Sequence, residues 1–346
     1  KSIDLSKVQA LFFPLMIFLI GVSNIIVIFI GGNQYINGLI DIGVIAEFII
    51  YITMLTWPVA VVGWVTSIIQ QAEASQKRIN DFLKSESSIK NFGKVLDFKK
   101  NNIVFKNVHF KYPNSNSYSL KGINFSIDSG KTLGIIGKTG SGKSSILELI
   151  TRSYDSTSGK ILIGDHELNS YNLNSLRKHI SYVPQNSFLF SDTILENIKF
   201  GDYKASLKEV VKVSKKSSIH SDIIRFKDKY ETLLGERGVN LSGGQIQRIA
   251  IARALLKKSK ILILDDCLSS VDTKTETEIL SKIKKIKSEE TVVIVSHKIS
   301  SVRHADLIIV LENGVVIEKG THEKLLSVNG YYYKLAQKQL EKTEFT

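Results

Sequence analysis

The sequence predicts an α-helical transmembrane hairpin followed by an α/β domain organised around a phosphate-binding turn. Three observations carry this reading. Val8 to Ile40 and Phe48 to Ala72 contain no charged residue. Gly137-Lys138-Thr139-Gly140-Ser141-Gly142-Lys143-Ser144 stands between a strand-like run, Thr132 to Ile136, and a helix-like one, Ser145 to Ile150. Further short apolar runs downstream end in polar or acidic residues.

Each uncharged run exceeds the ~20 residues needed to cross a hydrocarbon core. Two in succession, apolar on all sides, fit neither buried core helices nor a cleaved signal peptide. The break between them, Gly31-Gly32-Asn33 through Asn37-Gly38, lacks Lys and Arg, whereas Lys1, Lys7, Lys77, Arg78 and Lys84 flank the outer ends. The positive-inside rule then puts both ends in the cytoplasm and makes the protein multi-pass in the cell membrane. Asn24, Thr53, Thr56, Thr66 and Ser67 fit a polar path or helix-to-helix hydrogen bonding equally. After Ile69 the pattern turns amphipathic, through Ala72, Ile79, Phe82 and Leu83, so the second span is expected to continue as a helix beyond the bilayer. The organisation read from this is transmembrane helices over 1–84, a linker over 85–94 and a soluble domain over 95–346.

The 346 residues carry a formal net charge of +13, compatible with nucleic acid, an anionic membrane surface or a nucleotide as partner. The lysines are scattered over the soluble part, and Lys282, Lys284, Lys285 and Lys287 fall on a short polar helical pattern that reads as a solvated face. The single cysteine, Cys267, excludes an internal disulfide and reads as a buried, reduced thiol beside the run Ile261 to Leu264.

In the glycine-rich turn the backbone can fold tightly with its N–H groups inward, so that phosphate oxygens meet the donors left free at the start of the next helix. Lys143 would reach the β and γ oxygens of a triphosphate and Ser144 the Mg2+. Upstream, Ile103 to Phe110 alternates as a strand stopped by Pro113, and Tyr112 beside it can lie flat on a purine or simply close the strand. Ile123 to Ile127 is a strand, and Val183-Pro184-Gln185 ends another, leaving a carboxamide at the strand edge where ligands of open α/β sheets bind. Leu241-Ser242-Gly243-Gly244-Gln245 precedes a helical pattern through Arg248, Ala252 and Arg253. Ile261 to Leu264 is a buried strand ending in Asp265-Asp266, a carboxylate where Mg2+ beside phosphates requires one. Ser269 to Asp272 is a turn, Thr291 to Val295 a strand delivering His297, and Ala305 to Val310 with Val315 to Ile317 a hairpin turning at Asn313-Gly314.

With the turn, Leu241 to Gln245 and Ile261 to Asp266 in this order, the chain resembles an ATP-binding cassette (ABC) protein, and behind a membrane hairpin it resembles the exporter branch. The resemblance covers about Val95 to Leu340. Phe188-Leu189-Phe190, Thr193-Ile194, Asn197 and Gly235-Glu236-Arg237-Gly238 also fit the exporter pattern. It implies a P-loop NTPase fold of the ABC type, with a mixed sheet core and a helical subdomain. It also implies roles. Tyr112 would stack on adenine. Gly137 to Ser144, with Ser145, would bind the phosphates, and Ser144, Gln185 and Asp265 the Mg2+. Asp266 would be the base, His297 would contact the γ-phosphate, and Asp272 would communicate across a dimer. Ser242, Gly243, Gly244 and Gln245 would face ATP held by a second cassette, whose phosphate would meet the N–H donors and positive dipole end of this helix.

Two departures qualify the resemblance. Asp266 stands where glutamate is commonest; it is one methylene shorter, and a misplacement of ~1 Å can cost ~100-fold in rate, so slow hydrolysis is expected. Aspartate there is typical of one subunit of heterodimeric exporters, which favours a second, different half-transporter as partner over a homodimer. The family has six spans per half, and this chain, beginning at Lys1, shows what look like the last two. It therefore reads as a piece that binds ATP without transporting. The spans do not specify the transported substrate. The rival functions are a soluble cassette ATPase acting on nucleic acid, against which the hairpin speaks, and a regulatory cassette with little turnover.

Overall fold

A computed structural model describes residues 2–344 apart from 236, 237, 239, 287 and 288. Glu236 and Arg237 of the motif before the signature, Lys1 and Lys287 lie outside the described residues. The chain divides into two compact units, 1–87 and 88–346; the division falls inside the stretch read as a linker.

In the first unit, α1 (Ser2–Ile36) and α2 (Ile42–Leu83) form an antiparallel pair joined by a short turn with Gly38 at φ 70°. Helix α1 runs on through Gly31-Gly32-Asn33, where the sequence suggested a break. At 1.5 Å per residue, the 42 residues of α2 extend about 60 Å, well beyond a hydrocarbon core of ~30 Å. Both helices are long and apolar enough to cross a membrane. Thr53, Thr56 and Thr66 donate to the carbonyls of Ile49, Ile52 and Val62. These hydroxyls are thus satisfied one turn back on their own helix, an option open to any Ser or Thr in a span.

The second unit has two sheets. β1 (Ile103–Phe110), β2 (Leu120–Ile127), β4 (Ser158–Ile163) and β5 (His166–Glu167) form an antiparallel sheet in the order β2-β1-β4-β5, while β3 (Thr132–Gly137), β6 (Ile180–Val183), β7 (Ile261–Asp265), β8 (Thr291–Ser296), β9 (Leu307–Glu312) and β10 (Val315–Gly320) form a mixed one in the order β10-β9-β3-β8-β7-β6. Among the described residues only the β9–β10 hairpin is antiparallel in the mixed sheet, turning through Asn313 (φ 48°) and Gly314 (φ 78°). Strands β3, β7 and β8 are buried throughout, as parallel strands covered on both faces must be, which is why they read as unbroken apolar runs. Their side chains alternate between two cores. Leu133, Ile135, Ile263 and Val293 pack towards the antiparallel sheet together with Ile146, Leu149 and Ile150 of α3 (Lys143–Ile150), and Leu262, Leu264, Val292 and Ile294 pack among the helices. Burial of each such Leu, Ile or Val contributes roughly 1.5–3 kcal/mol over exposure.

Helices Ile194–Lys199, Leu207–Lys216 and Gly243–Leu256 make up the helical part, with Ile198, Val210, Ile249 and Ala252 buried against one another. Because β3, β6, β7 and β8 are parallel, Gly137, Val183, Asp265 and Ser296 end on one edge.

Candidate nucleotide-binding site

Helix α3 begins at Lys143, two residues before the sequence reading placed it, because Gly142 precedes it in the left-handed region at φ 102°. A Cβ on Gly142 would sit 2.7 Å from Leu120 Cδ2 and 2.9 Å from the Ser119 carbonyl, and one on Gly137 would sit 2.4 Å from the Leu311 carbonyl. Glycine is therefore forced at both positions by close backbone approach, and at Gly142 by φ as well. The Lys143 ammonium is folded back over the turn, donating to the carbonyls of Gly137 and Lys138, each at 2.8 Å. Burial pulls its pKa below the usual lysine value, against the opposing pull of Asp266 and Asp265.

A cavity of about 540 Å³ lies over this turn. It is lined by Thr139, Gly140, Gly142, Lys143, Ser144 and Ser145 from the turn and α3, by Gln185, Asp265, Asp266 and His297 from the strand ends, and by Tyr112. The remaining turn residues support this lining: Gly137 and Lys138 hold Lys143, and the Ser141 carbonyl accepts from Gly314 N–H. Tyr112 is pinned, its hydroxyl donating to Glu148 Oε2 at 2.6 Å and lying 2.9 Å from Ser145 Oγ. Burial pushes its pKa up to about 12, so it stays neutral.

At the carboxylate end, Asp265 is 8% exposed and accepts from the Tyr182 hydroxyl at 2.8 Å through Oδ2. Burial pushes its carboxyl up, the Tyr182 bond opposes this, and Asp266 adds to the rise. Asp266 has φ 43° and accepts from Gln185 Nε2 at 3.2 Å and, weakly, from Ser296 Oγ at 3.4 Å. The hydroxyl, carboxamide and carboxylate of Ser144, Gln185 and Asp265 form a hard-oxygen donor set with room for phosphate oxygens and water. Mg2+ prefers that combination to an all-protein cage. Among the described residues no cluster of three or more His, Cys, Asp or Glu groups suggests a different metal.

Ser242 to Gln245 and Asp272 do not line this cavity. Ser242 Oγ accepts from Gln245 N–H at 3.3 Å while Gln245 Oε1 accepts from Ser242 N–H at 3.0 Å, a reciprocal capping box on the helix Gly243–Leu256. Gly244 passes close to the Ser270 carbonyl, 3.0 Å from a would-be Cβ. Asp272 caps the next helix by accepting from Thr275 N–H at 2.9 Å, and that bond holds its carboxyl below the usual range. Gln247, which sequence reasoning missed, ties the two segments together, donating to Ser269 Oγ and accepting from Ser270 N–H.

A larger cleft, about 910 Å³, is lined by Lys99, Lys100, Lys258 and Lys260 with Glu289 and Glu290. Lys100 pairs with Asp165 and Lys260 with Asp97, so part of the basic surface is already balanced. No residue of the turn reaches it.

A glycine turn opening a helix at the carboxyl edge of a mixed sheet, beside paired carboxylates and a separate capped signature helix, defines an ABC-type P-loop nucleotide-binding domain. Residues 120–269 match the family model described as ABC transporter. The chain is 41% identical to a multidrug resistance-like ATP-binding protein MdlA of Buchnera aphidicola, the match covering 99% of the chain and 59% of that protein. It is 36% identical to an ATP-dependent lipid A-core flippase of Syntrophus aciditrophicus, with 97% and 56% covered. Among solved structures it is similar to a bacterial Atm1-family ABC exporter with ATP bound, at 34% identity and TM-score 0.74, covering 87% of this chain and 53% of that one. The chain thus spans between half and six-tenths of these relatives' length.

Proposed function

We propose that the chain is the ATP-binding and ATP-hydrolysing part of an ABC exporter, anchored in the bilayer by α1 and α2 with the cassette in the cytoplasm. The observation that supports this best is the convergence of Lys143, Ser144, Gln185, Asp265, Asp266 and His297 on one cavity at the sheet edge. In this reading the turn's N–H groups and Lys143 bind the phosphates, and the Tyr112 ring faces the adenine. Ser144, Gln185 and Asp265 would hold Mg2+, which would supply charge neutralisation to the phosphates. Asp266 orients the attacking water and His297 contacts the γ-phosphate. Gly137 to Gly142 and Ser145 shape the pocket.

The signature stands outside that cavity, so Ser242, Gly243, Gly244 and Gln245, with Asp272, act on nucleotide held by a second cassette. A dimer is required for either complete site. Asp266 favours a heterodimer in which this chain forms the slower site and lends its signature to the faster one. The hairpin and the partly paired lysines favour a membrane partner over nucleic acid.

Incubating the full chain, purified in lipid, with Mg2+ and ATP under non-hydrolysing conditions tests the core reading. Retained nucleotide and a shift from monomer to dimer are expected, both lost in Lys143→Ala; a wild-type chain that stays monomeric and retains no ATP overturns it. Brisk, cooperative turnover by the chain alone, abolished in Asp266→Asn, overturns the heterodimer.

A further inference from the structure

We infer that Tyr182 is a positioning residue for Asp265: its hydroxyl fixes one carboxylate oxygen so that the other is presented to the Mg2+ of bound nucleotide. The inference rests on the Mg2+-nucleotide reading above. Tyr182 belongs to β6 and Asp265 ends β7, parallel neighbours in which Tyr182 lies opposite Ile263 and Val183 opposite Leu264. The register brings the phenol to the last residue of the adjacent strand, where it donates to Oδ2 at 2.8 Å.

Tyr182 does not line the nucleotide cavity. Its ring lines a separate cavity of about 410 Å³ with Leu147, Glu148, Thr151 and Arg177. The hydroxyl therefore reaches Asp265 from outside the space the nucleotide would fill, as a support behind a ligand rather than a contact to substrate. Tyr182 is 43% exposed, so packing alone does not explain a tyrosine here, whereas Asp265, whose carboxylate it grips, is 8% exposed. A carboxylate with both oxygens free can rotate about its Cβ–Cγ bond; one held through Oδ2 offers Oδ1 in one direction. Such partners of metal ligands typically change metal affinity or activity 10–100-fold when removed.

The test is Tyr182→Phe, which keeps the ring and deletes the hydroxyl, in the full chain. Binding of a fluorescent ATP analogue is followed with excess EDTA and across a Mg2+ titration. The expected result is a half-saturating Mg2+ concentration raised at least ~10-fold, with magnesium-free affinity and melting temperature unchanged within error. A half-saturating concentration within about twofold of wild type overturns the inference. So does an equal loss with and without Mg2+, which assigns Tyr182 a merely structural part. A wild-type chain that binds nucleotide without any dependence on Mg2+ overturns the underlying reading as well, so the two failures are distinguishable.

Discussion

Gln339 grips the loop at His297 and just after it: its Nε2 donates to the His297 carbonyl at 2.8 Å, and its Oε1 accepts from the Ile299 backbone N–H at 2.8 Å. Gln339 sits on the helix Tyr331–Glu344, whose first turn is itself held by Glu318, Oε2 accepting from Tyr332 N–H at 3.0 Å. The histidine expected at the γ-phosphate is thus located by a side chain some forty positions further along the chain. Each neutral bond is worth about 1 kcal/mol net, and shifts of a fraction of an ångström at a reacting group cost up to ~10-fold. Gln339→Ala should lower ATP turnover by roughly 3–10-fold and leave nucleotide affinity nearly unchanged. Steady-state rates and a binding titration on the same preparation check this; equal losses in both count against a role through His297.

Gly142 and Gly140 both lie in the left-handed region, at φ 102° and 80°, but their surroundings differ. A Cβ on Gly140 meets nothing within 4 Å, whereas one on Gly142 collides with Leu120 Cδ2 and the Ser119 carbonyl. Gly140→Ala should therefore carry only the backbone strain, on the order of 1–2 kcal/mol. Gly142→Ala should also push the turn away from the Ser119–Leu120 segment and reduce ATP affinity by more than Gly140→Ala does. Thermal melts and nucleotide titrations of the two variants side by side decide the ordering.

Strands β3, β7 and β8 of the mixed sheet were legible because burial on both faces leaves apolar runs such as Leu133 to Ile136, and the turn because its glycines answer to close approach. β4 was not legible. Ser158, Gly159 and Lys160 are exposed, and only Ile161 and Ile163 are buried against the facing layer, so the strand has no sequence period of its own. The supporting contacts of the site were equally silent. Tyr182 to Asp265, Gln339 to His297, and Arg253 to the Asn197 carbonyl and against the rings of Phe190 and Phe200 all join residues far apart in the chain. No local pattern encodes such a pairing; register and helix packing create it.

Cys267 follows Asp265 and Asp266 directly, yet it is 2% exposed. Burial, reinforced by Asp265, Asp266 and Glu276, pushes its thiol well above the ordinary value. Since the thiolate is the reactive form, and raising the pKa empties it at neutral and mildly alkaline pH, the native chain should resist maleimide at pH 8. Labelling should become rapid only in denaturant. Mass spectrometry of the labelled chain under both conditions measures it, and fast native labelling contradicts the buried placement.

Asp266 is the carboxylate proposed to orient the attacking water, and its surroundings say how a longer side chain would fare. Its N–H donates to the Val295 carbonyl at 2.8 Å, and its φ of 43° is a conformation aspartate tolerates better than most residues. Its two oxygens are engaged sideways, by Gln185 and Ser296. Glutamate would carry the carboxylate one methylene further into the cavity at a modest backbone cost. If reach limits the rate, Asp266→Glu should raise ATP turnover, by up to ~100-fold for a carboxylate now ~1 Å short, and lower the melting temperature slightly. Asp266→Asn should abolish what turnover there is without loss of ATP binding. Measured on the chain alone and again with a partner half-transporter, the two variants separate a site that is slow by geometry from one that waits on its partner. A glutamate variant no faster than wild type in either setting shows that the methylene is not what holds the rate down.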